Sequence, residues 1–183
     1  AYGVVIPRLE TVEGALAAVK ACRYIRESGA DGPEGHRGWS PVASRYWGVT
    51  PAEYYEKADL WPLNPGGEML LIPLVETAAG VKNIDTILTE VKGISIVWAG
   101  PGDLSVSLGL GPDYDAPEVE EGLLHILKVS QKHGLPCAMV ARTAAELDKR
   151  LDQGFRVFFS APQKSTPALT RGKSLILDSL AKE

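Results

Sequence analysis

Met69-Leu70-Leu71-Ile72-Pro73-Leu74-Val75 is an unbroken apolar run that closes on Glu76-Thr77. A strand half-exposed to water alternates apolar and polar residues, so a run without alternation is the pattern of a parallel strand covered on both faces. The cluster Asn64-Pro65-Gly66-Gly67 before it is a turn signal. Downstream, Val81, Ile84, Ile87 and Leu88 recur at helical spacing, and Ile94 to Trp98 is a second short apolar run leading into Ala99-Gly100-Pro101-Gly102-Asp103. Strand, turn, amphipathic helix, strand: the unit is βα, and it repeats on both sides of this stretch.

Upstream, Val4 to Pro7 reads as a strand and Thr11 caps a helix that buries Leu16, Val19 and Cys22. A long Gly-rich connection runs from Ser28 to Arg37, after which Thr50-Pro51-Ala52-Glu53 combines a capping box with proline at the first helical position. Toward the other end, Glu118 to His133 is a helix stopped at Gly134, Cys137 to Val140 a strand, and Thr143-Ala144-Ala145-Glu146 a second capping box. Val157 to Phe159 is the last strand, and a terminal helix follows from about Thr166. The reading is α/β, residues 1–183 as a single domain of five βα units.

Composition sets bounds on function. The 183 residues are 45% apolar and 23% charged, enough for one packed core. A net charge of -4 with no basic stripe argues against nucleic acid. No apolar run approaches the roughly 18 residues of a membrane span, and no signal pattern opens the chain. Cys22 and Cys137 stand apart without a CxxC motif, as buried thiols in a reducing compartment do. The expectation is a cytoplasmic protein with no nucleic-acid and no membrane partner.

Glu76 and Asp103 stand at the C-terminal ends of successive strands. In β/α barrels the carboxyl ends of the strands carry the active site. Two carboxylates placed there repel one another unless a divalent cation or a shared proton intervenes, and oxygen ligands suit magnesium or manganese. The spacing fits equally well two helix-start carboxylates favoured by the helix dipole. Both readings stand on spacing alone.

Several motifs in order add a resemblance. Pro73-Leu74-Val75-Glu76-Thr77 with Val81-Lys82-Asn83-Ile84, then Gly100-Pro101-Gly102-Asp103-Leu104-Ser105 with Leu108-Gly109, resembles the pyruvate-dependent class II aldolases of the HpcH/HpaI aldolase and citrate lyase beta-like family. Ile6-Pro7-Arg8-Leu9-Glu10-Thr11, Ala21-Cys22-Arg23-Tyr24 and Arg37-Gly38 extend the match over nearly the whole chain.

The resemblance implies a (β/α)8 TIM barrel of the phosphoenolpyruvate/pyruvate-binding type, here lacking its first three βα units. It implies that Glu76 and Asp103 bind a divalent ion, Mg2+ foremost with Mn2+ or Co2+ as alternatives, on which a small 2-oxo acid such as pyruvate or oxaloacetate docks. The backbone N–H groups of Gly102 and Asp103 then face the substrate carboxylate, and small residues at Gly100 and Gly102 let the backbone approach. Family members more often carry alanine where Gly102 stands. Arg8 ends its strand on the same face as a candidate for a substrate's distal acid group, with an ion pair as the plainer reading. The family's catalytic histidine and enolate-binding arginine have no matching positions in this chain.

The activity implied is a metal-dependent carbon-carbon lyase working through a pyruvate enolate, by aldol cleavage of a 4-hydroxy-2-oxo acid or decarboxylation of oxaloacetate. Alternatives are an acyl-CoA lyase of the citramalyl or malyl type, or a noncatalytic subunit that keeps the metal site. A homo-oligomer, a hexamer, is expected by resemblance. The segments Ser28 to Gly35 and Trp61 to Gly67 hint at a specialised second substrate. His36 and Trp39 to Pro41 are candidates for the barrel mouth, with a solvated loop and core packing as the plainer alternatives; His125 and His133 are expected in solvent.

Overall fold

A computed structural model of the chain describes residues 1–26, 32–160 and 167–181. The elements follow in the order β1 (Gly3–Ile6), α1 (Val12–Cys22), α2 (Ala43–Trp47), α3 (Pro51–Lys57), β2 (Leu60–Trp61), β3 (Met69–Val75), α4 (Ala78–Glu90) and β4 (Val97–Ala99). Then come α5 (Pro101–Ser107), α6 (Pro117–Lys132), β5 (Cys137–Val140), α7 (Ala144–Gln153), β6 (Val157–Phe159) and α8 (Pro167–Leu180).

Every strand pairing is parallel, and the sheet runs β1-β3-β4-β5-β6, with β2 attached to the start of β3. Along the path β1-β3-β4-β5-β6, chain order and spatial order coincide. A doubly wound sheet reverses its strand order at a switch point; a sheet that never reverses is a barrel wall. Here it forms a curled parallel half-barrel, with β1 and β6 at its edges among the described residues.

The two faces of the sheet bury different sets of residues. Odd positions of β3 (Met69, Leu71 and Val75) join the main core with Val97, Cys137 and Met139, packed under helices through Val19, Ile84, Ile87, Leu123 and Ile126. The opposite face holds Ile72, Ile96 and Ala138 with Leu70, Trp98, Val157 and Phe159. This second set is the inner wall of the half-barrel. The continuous apolar run of β3 follows from its position between two apolar layers.

The expected strand over Ile94 to Trp98 begins only at Val97. On β3 the odd residues turn their backbone toward β4: Leu71 O accepts from Ser95 N at 2.9 Å and Val75 O from Gly100 N at 3.0 Å. Pro73 is on that side and has no N–H to give, so the ladder is interrupted there and resumes at Leu74 opposite Trp98.

Helix starts follow the capping signals. Thr11 accepts from Gly14 N, and Thr50 with Glu53 forms the full capping box ahead of Pro51. At α7 only half of the expected box forms. Thr143 accepts from Glu146 N, but the Glu146 carboxylate takes the backbone N–H of Arg142 at 2.8 Å in place of that of Thr143. The Arg142 guanidinium draws it there, with Nε 3.2 Å from Oε2 and Nη2 3.3 Å from Oε1.

Both cysteines are free and buried, as expected of small core residues. No helix of the described residues is long and apolar enough to cross a membrane.

Candidate active site

Glu76 follows the last residue of β3, and Asp103 lies in the first turn of α5, just past β4. Parallel neighbours in register end at the same level, so residues just past β3, β4 and β5 converge on one rim. There a cavity of about 350 Å3 is lined by Leu74, Glu76, Trp98, Gly100, Pro101, Gly102, Asp103, Tyr114, Val140, Arg142 and Glu146. The two carboxylates singled out from strand-end position share this cavity.

Glu76 is almost fully buried, at 8% exposure. Its Oε1 accepts the backbone N–H of Arg8 at 3.0 Å. Burial pushes its carboxyl above the usual carboxylate range and the nearby Asp103 charge pushes the same way, against the Arg8 N–H and charge. The site is thus short of positive charge at its acidic end.

Arg8 is the non-glycine residue with positive φ among those described, at 51°. That turn after β1 swings its N–H toward Glu76 while Leu9 N rejoins Leu74 O at 3.3 Å. The side chain is 61% exposed, and its Nη2 is 3.7 Å from Glu10. Arg8 therefore reaches the site through its backbone.

Gly100 is required by space. A Cβ there would stand 2.8 Å from Glu76 Cβ, 2.8 Å from Leu74 Cδ1 and 3.3 Å from Glu76 Oε2. Gly102 is open, its nearest neighbour being Tyr114 Cε1 at 3.9 Å. The N–H groups of Gly102 and Asp103 belong to the first turn of α5, where no helical carbonyl is available to them.

Among the described residues no group of three or more His, Cys, Asp or Glu side chains is placed to hold a metal. Glu76 and Asp103 supply two hard oxygen donors and leave positions for substrate and water. That suits magnesium or manganese, which keep much of their shell from outside the protein. The Glu76–Asp103 repulsion is the condition such an ion relieves, so the residues present fit a divalent ion.

The structure adds residues that strand-end acidity alone did not suggest. Trp98 stacks on Phe159 with centroids 3.7 Å apart, and its buried Nε1 has no hydrogen-bond partner among the described residues. Arg142 and Glu146 close the far side. Their signal was available: Arg142 stands two residues past β5, where a rim residue belongs. Tyr114, in the α5–α6 connection, carried no such signal.

Other candidates are placed elsewhere. His36 N donates to Lys20 O near the C-terminal end of α1, and the histidine is exposed there, away from the rim. Trp39 packs on Tyr24 and Tyr54. His125 is exposed as expected, whereas His133 is half-buried and its Nε2 is 2.7 Å from Asp85. The segment Trp61 to Gly67 folds against the start of β3, with Asn64 Nδ2 3.2 Å from Asp59 Oδ2. A seven-residue strand separates it from Glu76, about 20 Å, so it does not shape the cavity. Of the other expected insertion, residues 28–31 lie outside the described residues.

Comparison with known proteins gives a consistent picture. The HpcH/HpaI aldolase/citrate lyase family matches over residues 1–160. The 5-keto-4-deoxy-D-glucarate aldolases of Citrobacter koseri and Klebsiella pneumoniae are each 30% identical over 181 residues, 93% of this chain and 64% of theirs. Among solved structures, an HpcH/HpaI aldolase/citrate lyase family protein from Burkholderia cenocepacia superposes with a TM-score of 0.76 at 23% identity, over 99% of this chain and 65% of its own. Macrophomate synthase does so with 0.65 at 27% identity, over 100% of this chain and 58% of its own. The chain spans just under two-thirds of the length of these curated relatives.

Proposed function

The chain belongs to the HpcH/HpaI aldolase/citrate lyase family, and from that premise we propose that it carries the metal-binding half of a carbon-carbon lyase that works through a pyruvate enolate. The reactions are aldol cleavage of a 4-hydroxy-2-oxo acid or decarboxylation of oxaloacetate. The observation that supports this best is the convergence of Glu76, Asp103 and Gly100 on one cavity, with the Arg8 N–H on Glu76.

Each residue has a separable task. Glu76 and Asp103 would hold a divalent ion, magnesium foremost; when bound, it would supply a Lewis acid to offset the negative charge that develops on a 2-oxo acid as its carbon-carbon bond breaks. Arg8 N–H fixes the Glu76 carboxylate, and Gly100 leaves it room. The N–H groups of Gly102 and Asp103 receive the substrate carboxylate. Leu74, Trp98 and Val140 form an apolar wall that limits water around the reacting carbons. No histidine lines the cavity among the described residues, and no proton transfer is assigned to this chain's residues.

The test is pyruvate formation from oxaloacetate by the full-length protein, with magnesium, with manganese and with chelator, beside Glu76→Gln and Asp103→Asn. Metal-dependent turnover lost in both variants supports the assignment. Equal rates in every sample overturn it.

A further inference from the structure

The segment Trp61 to Gly67, which the cavity at Glu76 does not use, walls a second cavity of about 420 Å3. It lies at the opposite end of the sheet: Pro62 and Leu63 come from that segment, Leu88 and Val91 from the end of α4, and Leu135 from just ahead of β5. Lys92, Gly93, Ile94 and His133 also line it, and no Asp or Glu is among its lining residues. Ser95 Oγ donates to Trp61 O and Asn64 N to Leu60 O, so the segment is tied both to the approach to β4 and to its own base.

The polar groups of this cavity favour one negative charge. Lys92 is exposed, and its ammonium has no ion pair or hydrogen bond among the described residues. Gly93 and Ile94 are buried, yet neither backbone N–H has an acceptor among the described residues. Gly93 stands at φ 101° beside Leu63, with no side chain to cover its N–H. Asp85, the partner of His133, takes His133 Nε2 at 2.7 Å and Lys132 Nζ at 2.8 Å, so its charge is matched without Lys92.

We propose that this second cavity binds a small monocarboxylate with a compact hydrocarbon body, as a ligand separate from the substrates of the Glu76 site. The carboxylate accepts from the Gly93 and Ile94 N–H groups and faces the Lys92 ammonium, while the body lies against Leu63, Leu88 and Leu135. A buried N–H without an acceptor is costly, and an anionic oxygen is the strong acceptor that relieves it. A single unpaired lysine matches a single charge, so a phosphate dianion would leave charge uncompensated. The volume is that of a small-molecule site, and the mainly aliphatic lining gives the hydrocarbon body its burial.

The probes are phenylacetate, the neutral isostere phenylacetamide, and acetate, titrated calorimetrically into the full-length protein. Phenylacetate should bind about tenfold or more tighter than either of the others, since one lacks the charge and the other the apolar body. Lys92→Met should weaken phenylacetate about threefold to fivefold and leave phenylacetamide unchanged, the effect of one exposed charge. Leu135→Trp, checked for folding by circular dichroism, should fill the cavity and abolish binding. Hydrogen exchange of the peptide containing Gly93 and Ile94 should slow with phenylacetate, and that of the peptide containing Gly102 and Asp103 should not.

Equal affinity for phenylacetate and phenylacetamide, or binding unchanged in Lys92→Met, overturns the inference. Slowed exchange confined to the Gly102 and Asp103 peptide also overturns it, because the probe is then in the other cavity. Absence of any phenylacetate binding means that water alone satisfies the two N–H groups, and overturns it as well.

Discussion

Arg8 and Glu76 are joined by the backbone of one and the side chain of the other: Arg8 N donates to Glu76 Oε1 at 3.0 Å from a residue held at φ 51°. A left-handed conformation costs a non-glycine residue about 1 kcal/mol, and here it aims a donor at a buried carboxylate. Arg8→Gly relieves that strain and keeps the N–H, so it should fold within about 1 kcal/mol of wild type and retain turnover. Arg8→Pro removes the N–H and fixes φ near -65°, and should lose about 2 kcal/mol or more together with activity. Thermal melts and oxaloacetate turnover check both. A large rise in KM for Arg8→Gly would show that the guanidinium, not the backbone, serves the substrate.

The two glycines at the rim should respond in opposite ways. Gly100→Ala places a methyl 2.8 Å from Glu76 Cβ and Leu74 Cδ1, which costs roughly 1–3 kcal/mol and displaces the carboxylate. Gly102→Ala meets nothing nearer than 3.9 Å and gains up to about 1 kcal/mol from helix propensity in α5. Melting temperatures of both variants, with turnover alongside, test the contrast. Equal tolerance of the two would mean that Glu76 is not held against Gly100.

Glu76 gives a pH-dependent stability of identifiable sign. Its folded-state carboxyl is raised by burial and by Asp103, so the fold favours the protonated form. The stability from that preference is complete below the ordinary carboxylate range and is lost as pH rises through the raised pKa. Without metal, Glu76→Gln should therefore melt a few degrees higher than wild type at neutral pH while losing turnover, and the difference should vanish at acidic pH. Magnesium should raise the wild-type melting temperature and leave the variant unchanged. A variant less stable than wild type at neutral pH would count against the electrostatic account.

Asp59 has the opposite sign. Burial alone would raise its carboxyl, but bonds from Arg23, Leu60 N and Asn64 outweigh it and hold it below the usual carboxylate range. Arg23 Nε and Nη2 reach its two oxygens at 2.8 and 3.0 Å, with both side chains almost fully buried. This stability is present above the ordinary carboxylate range and is lost as pH falls through the depressed pKa. Asp59→Asn leaves a guanidinium buried against a neutral group and should cost on the order of 3 kcal/mol or more, read by urea unfolding at neutral pH. A loss under about 1 kcal/mol would show that the pair is better solvated than its burial implies.

Local signals in the sequence determined much of this protein. The apolar run Met69 to Val75, the caps at Thr11, Thr50 and Thr143, and the proline and glycine punctuation specify parallel βα units, because periodicity and capping act over a few residues. The rim positions of Glu76 and Asp103 were legible for the same reason: Glu76 follows β3 directly and Asp103 lies in the helical turn just past β4, and parallel strands in register bring such positions to one rim.

Relationships between distant segments were decided by tertiary structure. The gap in the ladder before Val97 depends on which side of β3 Pro73 faces, and Glu146 turns from its own cap to Arg142 because the guanidinium is a stronger donor than one more backbone N–H. Arg8 reads as a charged strand end, yet its backbone does the contacting once the turn adopts positive φ. The cavity itself, with Trp98, Tyr114 and Arg142 around the two carboxylates, exists only when three strand ends and one connection meet. Burial, approach distance and like-charge repulsion are properties of that meeting, so no single segment of the sequence carries them.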